Sequence, residues 1–333
     1  MKNILKIVFV IIGTIVGAGF ASGQEIHIFF GKYGKYGIIG LVFSCILTGV
    51  IIYKTLEVSR KEKITTYKKL LNKLIGVEKS FFIVTINIII SIFLGISFIV
   101  MAAGLGAYFS QEFGISSIIG CLLMCCLCFV ALKNKNDGII KINEIGMPAL
   151  ILLIIELGII LKMDFKLKMP NVGLTKIVIN PILYTSYNTI TLIPVLVNIT
   201  NTINSKKSNL LISSLCSIIL MILGTIIFNL IEGINNISQI QLPMISAAKQ
   251  AGSTFSLLYG IVILIAMFTS AVSSGFALVK NTSCSEKYNY KLLIILSVAS
   301  VIVCNFGFSN LINILYPIFG YLGIIQMFFI FKA

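Results

Sequence analysis

Residues 13–26 read GTIVGAGFASGQEI, with four glycines set among Thr14, Ser22 and Gln24 and a carboxylate at Glu25. The stretch lies inside the first apolar run of the chain, about 4–30, where a helix should be crossing a bilayer. Gly13, Gly17, Gly19 and Gly23 lower the cost of unwinding. An opened turn at Gly17-Ala18-Gly19 would present free N–H groups from the helix that follows and free carbonyls from the helix that precedes. The first suit an anion such as a carboxylate, the second a cation. Close helix packing is the alternative, because Gly13/Gly17 and Gly19/Gly23 are small residues four apart. Ser22, Gln24 and Glu25 argue for a site, since polar groups are expensive at membrane depth.

A second interruption has the same character. Residues 180–194, NPILYTSYNTITLIP, hold two prolines around Tyr184, Thr185, Ser186, Tyr187 and Asn188. Irregular backbone at this depth is tolerated only where it is buried in protein or lines a cavity. Two interrupted helices in matching halves point to an inverted-repeat transporter with its site at the midplane. Glu156, in the middle of ILLIIELGIILK, is a candidate coupling residue, and Glu25 a candidate for gating or coupling. Asn87 and Ser91 share a helix face and are candidates for the pocket wall.

These residues need spans to carry them. The chain has 333 residues, 58% hydrophobic and 11% charged, against about 25% charged in an ordinary soluble domain. Its mean hydropathy is +1.04. A span needs about 20 apolar residues, and ten fit: 4–30, 36–53, 81–108, 115–132, 145–161, 177–199, 210–231, 255–279, and two within 292–331 divided by NFGFSN at 305–310. With the N-terminus inside, the inner segments carry 19 Lys and Arg and the outer ones 7. That bias places both termini in the cytoplasm and accounts for the net charge of +15 without nucleic acid. Residues 235–250 are too polar to span and read as an outer loop with a short amphipathic helix over the bundle. Seven of the eight cysteines lie in apolar runs and read as packing groups.

GTIVGAGFASGQEIHIFFGKYG resembles the opening of the YkvI family of bacterial membrane proteins. That family is similar to the amino acid–polyamine–organocation superfamily, with the leucine-transporter fold. The resemblance implies an all-α fold of ten spans in a 5+5 inverted repeat, halves 4–162 and 177–331 of one transmembrane domain, with spans one and six discontinuous. It implies that amides at Gly17, Ala18 and Gly19 hold a substrate carboxylate opposite residues 184–188. It also implies a sodium site between carbonyls of Gly13 and Val16 and the hydroxyls of Ser270, Ser273 and Ser274. Phe20 stands where some relatives carry an Asn for a second sodium, which leaves that second site without its ligand.

The expected function is a secondary transporter in the cell membrane. It carries a small amino-acid-like solute with sodium or a proton, and needs no cofactor beyond that ion. The alternative is a ligand-sensing receptor subunit using the same pocket; nothing in the chain identifies a protein partner. One histidine and no metal-ligand motif speak against a membrane enzyme, and there is no nucleotide-binding loop.

Overall fold

The computed structural model describes residues 2–75, 80–133, 138–162, 174–200, 203, 205–282 and 286–332. Lys166 and Lys168 of the outer-loop count, and Cys284, lie outside the described residues. Among the described residues all regular structure is helical. The first span is three pieces: α1 (Lys2–Ile15), α2 (Ala18–Ala21) and α3 (Gln24–Phe29). After it come α4 (Gly34–Lys61), α5 (Tyr67–Ile75), α6 (Ser80–Phe113), α7 (Ser117–Lys133), α8 (Gly138–Ile160) and α9 (Leu174–Ile199). The chain continues with α10 (Lys206–Glu232), α11 (Pro243–Ala251), α12 (Ser253–Thr282), α13 (Glu286–Val303) and α14 (Phe308–Lys332). Six helical segments among the described residues are long and apolar enough to cross a membrane, and shorter apolar helices lie at Ile4–Ile15, Ser117–Leu132, Gly146–Ile160 and Lys291–Phe306.

The helices expose large apolar side chains as well as burying them. On α4 Ile39, Phe43, Ile46 and Val50 are exposed, while Ser44, Thr48, Gly49 and Thr55 are buried beside Leu41, Ile52 and Leu56. Lipid tails are as apolar as Leu, so helices associate through close packing and polar contacts rather than by hiding apolar surface. Ser217 of α10 donates to the Cys45 carbonyl at 2.9 Å where Gly49 lets the two helices meet. The same device is tightest between α14 and α9. A Cβ at Gly320 would lie 2.7 Å from the Leu183 carbonyl oxygen, and one at Gly323 would strike that of Ser186. Gly323→Leu should therefore destabilise by about 3 kcal/mol, read as a lowered Tm in detergent; an unchanged Tm would mean that α14 does not sit this close.

The first helix breaks where the glycines are densest. α1 ends with Val16 N–H donating to Ile12, and the Gly17 N–H turns back to Ile15 at 2.9 Å. Gly17 is extended, with φ −79° and ψ −175°. A second turn follows at Gly23, whose φ of +83° favours glycine. The division at 305–310 is also present, with Gly307 at φ +82° between α13 and α14. The expected helix of the 235–250 loop is α11. The α5 helix was not expected. It lies in the Lys-rich segment after α4, with Leu70 buried and Gln326 of α14 donating to Tyr67 at 2.8 Å.

The expected break in span six is absent. α9 runs from Leu174 to Ile199 with Pro181 and Pro194 inside it. Each proline withholds one N–H, but the polar residues between them bond to their own helix. Thr185 donates to the Pro181 carbonyl at 2.9 Å, Ser186 to Ile182 at 2.8 Å, Asn188 to Tyr184 at 2.9 Å and Thr189 to Ser186 at 2.6 Å. Such back-bonding is the ordinary use of hydroxyls in apolar helices. Residues read as marks of an opened turn brace a closed one, and the pair of matching breaks reduces to one.

Candidate functional site

The broken first helix and the face of α9 meet at one carboxylate. Glu25 is the second residue of α3 and is 1% exposed. The Tyr187 hydroxyl donates to its Oε1 at 3.1 Å. Its Oε2 has no partner among the described residues. The Tyr184 hydroxyl, also buried and unpartnered, faces the same carboxyl. Rings enclose the group: Tyr187 stacks on Tyr316 at 4.6 Å and lies 6.4 Å from Phe29, and Tyr184 meets Phe29 edge-on at 5.3 Å. Phe93 adds a tilted contact to Tyr187 at 6.2 Å. A buried carboxylate with an open oxygen inside aromatic walls is suited to an ammonium group or a proton.

The opened turn lies beside it. The N–H groups of Ala18, Gly19 and Phe20 begin α2, where no intrahelical acceptor exists; the first donors that do bond within it are Ala21, to Gly17, and Ser22, to Ala18. A Cβ at Gly17 would meet nothing within 4 Å, whereas one at Gly19 would strike the Glu25 carboxyl. Gly17 therefore borders open space, and Gly19 is where Glu25 rests.

The five candidates on α9 separate by face. Tyr184, Tyr187 and Asn188 share one face, as residues three and four apart do, and Tyr184 and Tyr187 reach Glu25. Thr185 donates to the Ser44 carbonyl of α4 at 3.2 Å, and Ser186 to the Gly320 carbonyl of α14 at 2.7 Å. Both hold neighbouring helices. The hydroxyl candidates for sodium differ in their surroundings. A Cβ at Gly13 would meet Met147 of α8, Ser274 donates to Ser97 of α6 at 3.1 Å, Ser273 is exposed and Ser270 half-buried. Glu156 is exposed, one turn from the end of α8. Asn87 and Ser91 do not line the pocket: Asn281 of α12 donates to Ser91 at 2.7 Å and ties the two helices. Tyr316, Phe93 and Phe29 were missed, because single rings in apolar runs carry no signal of which way they face.

The side of the site toward α11 is closed. Met244 N–H donates to the Ser22 carbonyl at 3.0 Å, and the Tyr259 hydroxyl to that of Ala21 at 2.6 Å. The Gln24 amide donates to the carbonyls of Ile240 and Gln241 at 2.6 and 3.0 Å and accepts from Ser309 at 3.2 Å. Gln111 and Gln241 extend the clasp to α6 and to Ser309 N–H. Gln24→Leu leaves those carbonyls unpaired and should cost about 1–3 kcal/mol, with faster hydrogen exchange over 240–251; unchanged exchange there would show that the clasp does not hold the lid.

No family model matches the sequence. Membrane protein YkvI of Bacillus subtilis (strain 168) is 26% identical over 96% of this chain and 92% of its own length. YyaD of the same organism is also 26% identical, over 96% and 94%. Solved transporter folds superpose on this chain. A mutant of the Eremococcus coleocola manganese transporter gives a TM-score of 0.62 at 11% identity, covering 96% of this chain and 77% of the transporter. The inward-facing conformation of Mhp1 gives 0.62 at 12%, covering 95% and 73%. The chain is similar to YkvI over nearly its whole length, and its fold is the leucine-transporter fold. In this membrane protein the broken span α1–α3, together with α9 and Tyr316 of α14, builds the candidate site at Glu25. Among the described residues no three His, Cys, Asp or Glu side chains come together to hold a metal.

Proposed function

We propose that this chain is a secondary active transporter of a small amino-acid-like solute, working by alternating access between two five-helix halves, 4–162 and 177–331. The observation that carries the reading is the opened turn at Gly17 beside the half-satisfied carboxylate of Glu25. The solute's carboxylate approaches the N–H groups of Ala18, Gly19 and Phe20 through the space at Gly17. Its ammonium approaches Glu25 Oε2 between Tyr184 and Tyr187. A solute with only an anionic end is disfavoured, because Glu25 rests on Gly19 and like charges repel at this depth. The ten spans lie in the cell membrane with both termini in the cytoplasm. The clasp at α11 closes the site on its side in the described state, and alternating access requires that it open in another state.

The coupling ion is a proton carried by Glu25 or a sodium held by Gly13, Val16, Ser270, Ser273 and Ser274. The engagement of Ser274 with Ser97 and the exposure of Ser273 favour the proton. Purified protein screened against amino acids by thermal shift, with and without sodium and across pH, tests the reading, since a ligand of the native state raises Tm by mass action. Sodium-dependent shifts that vanish in the Ser273→Ala, Ser274→Ala double variant would establish the sodium site. A ligand that binds but is never accumulated by proteoliposomes would make the protein a sensor. No shift with any amino acid would reject the solute class.

A further inference from the structure

A cavity of about 440 Å³ lies away from Glu25, at the end of the bundle where α4, α5, α10 and α14 converge. Five lysines line it, Lys54, Lys61, Lys73, Lys206 and Lys332, against two carboxylates. Both carboxylates are already engaged. Glu57 accepts from Arg60 at 3.0 Å and from Asn209 at 3.0 Å, with Lys61 at 3.4 Å, and Glu62 pairs with Lys73 at 3.1 Å. Lys54 donates to the Phe331 carbonyl at 2.9 Å. Lys206 and Lys332 have no carboxylate partner among the described residues. Lys206 also opens the long α10, whose N-terminus adds positive potential behind a Ser205 cap. The cavity thus concentrates positive charge that the protein does not neutralise.

Apolar side chains stand close to this lining. Val50 stands one turn before Lys54 on α4, and Phe328 one turn before Lys332 on α14, so each pair shares a face. Val50 and Phe328 are exposed, and Phe328 is 62% exposed. The ring of Phe331 lies under Lys54 Nζ at 5.7 Å. α5 runs along the same end with Leu70 and Leu71 buried and Lys68, Lys69 and Lys73 turned outward, as in a helix lying in the plane of an interface. The charged lining thus stands one helical turn from exposed apolar side chains.

We propose that this cavity binds the phosphate headgroup of an anionic phospholipid, with the acyl chains lying against Val50 and Phe328. Basic pockets between membrane helices recognise such headgroups, and each Lys near the surface adds favourable free energy. The chemistry recognised is a phosphate ester, which a free phosphate shares; the exposed apolar side chains one turn away select the lipid.

The test uses the full chain in neutral detergent. Native mass spectrometry and thermal shift compare phosphatidylglycerol, cardiolipin and phosphatidylcholine, with inorganic phosphate and pyrophosphate as soluble arms. The anionic lipids should be retained at least tenfold better than phosphatidylcholine and should raise Tm. The Lys206→Gln, Lys332→Gln variant breaks no ion pair among the described residues, so it should fold and lose roughly tenfold in anionic-lipid retention. The Lys68→Gln, Lys69→Gln variant, changed outside the cavity, should lose clearly less than the cavity variant. Equal retention of neutral and anionic lipid, equal loss in both variants, or stabilisation by pyrophosphate that matches the lipids would each overturn the proposal. Solute binding at Glu25 is read separately, so failure here leaves that site untouched.

Discussion

Glu25→Gln is expected to abolish solute-dependent stabilisation and uptake while the protein still folds. The substitution keeps the shape of the side chain and leaves Oε1 able to accept from Tyr187. It removes the negative charge and replaces the unpartnered oxygen with a donor that cannot receive an ammonium. Hydrogen bonds to charged groups contribute about 1.5–3 kcal/mol, so solute affinity should fall roughly 10- to 150-fold. Tyr187→Phe should produce a smaller loss, because it takes away the carboxylate's one described partner without changing its charge. Glu156→Gln is the control: an exposed carboxylate near the end of α8 should leave binding unchanged. Isothermal titration or thermal shift with the first solute identified would settle the comparison. Wild-type affinity in Glu25→Gln, or a larger loss in Glu156→Gln, would remove Glu25 from the site.

Gly17→Ala and Gly19→Ala should separate two roles that the sequence presents as one. At Gly17 the backbone has an ordinary negative φ and a Cβ meets nothing within 4 Å. The alanine should fold as well as wild type or gain about 0.4–1 kcal/mol through the unfolded chain. It nevertheless fills the space through which the solute reaches the opened turn, and affinity should drop at least tenfold. At Gly19 the methyl group strikes the Glu25 carboxyl. That variant should lose about 1–3 kcal/mol of stability from overpacking, and should lose binding because the carboxylate is pushed off Tyr187. Gly19→Val would do the same more severely, and so reports on Glu25 rather than on the amides alone. An amidated analogue of the solute probes the amides directly and should bind more weakly than the acid. If Gly17→Ala binds normally and the neutral analogue binds equally well, the turn is a packing feature and no carboxylate sits there.

How much of this site was legible beforehand differs between its two walls. The stretch 13–26 announced both the break and the carboxylate, and the structure has both. On α9 the same reasoning failed. Prolines and hydroxyls near mid-span signal an opened helix only when the hydroxyls are free to do something else. Here Thr185, Ser186 and Thr189 bond to carbonyls of their own helix, an outcome no spacing rule separates from the alternative. Two of the five residues proposed for the pocket wall then turned toward α4 and α14. Glu25 and Glu156 looked alike as lone carboxylates in apolar runs, yet one is enclosed by rings and the other is exposed.

Properties set within one stretch of chain could be read from the residues alone. Hydrocarbon thickness and the cost of unpaired backbone fix where apolar helices must run, so the helical segments, the rupture before Ala18, the α11 helix and the division at Gly307 could be read directly. Glycine density decided the rupture because the backbone there needs no partner from elsewhere to turn. Tertiary structure alone decided which carboxylate became the site, which face of α9 met it, and that α14 presses on α9 through Gly320 and Gly323. It also gathered the ends of α4, α5, α10 and α14 into the lysine-lined cavity. Those outcomes depend on the rotation of each helix about its axis and on the identity of its neighbour. In a chain whose spans are apolar on every side, no hydrophobic stripe records either one.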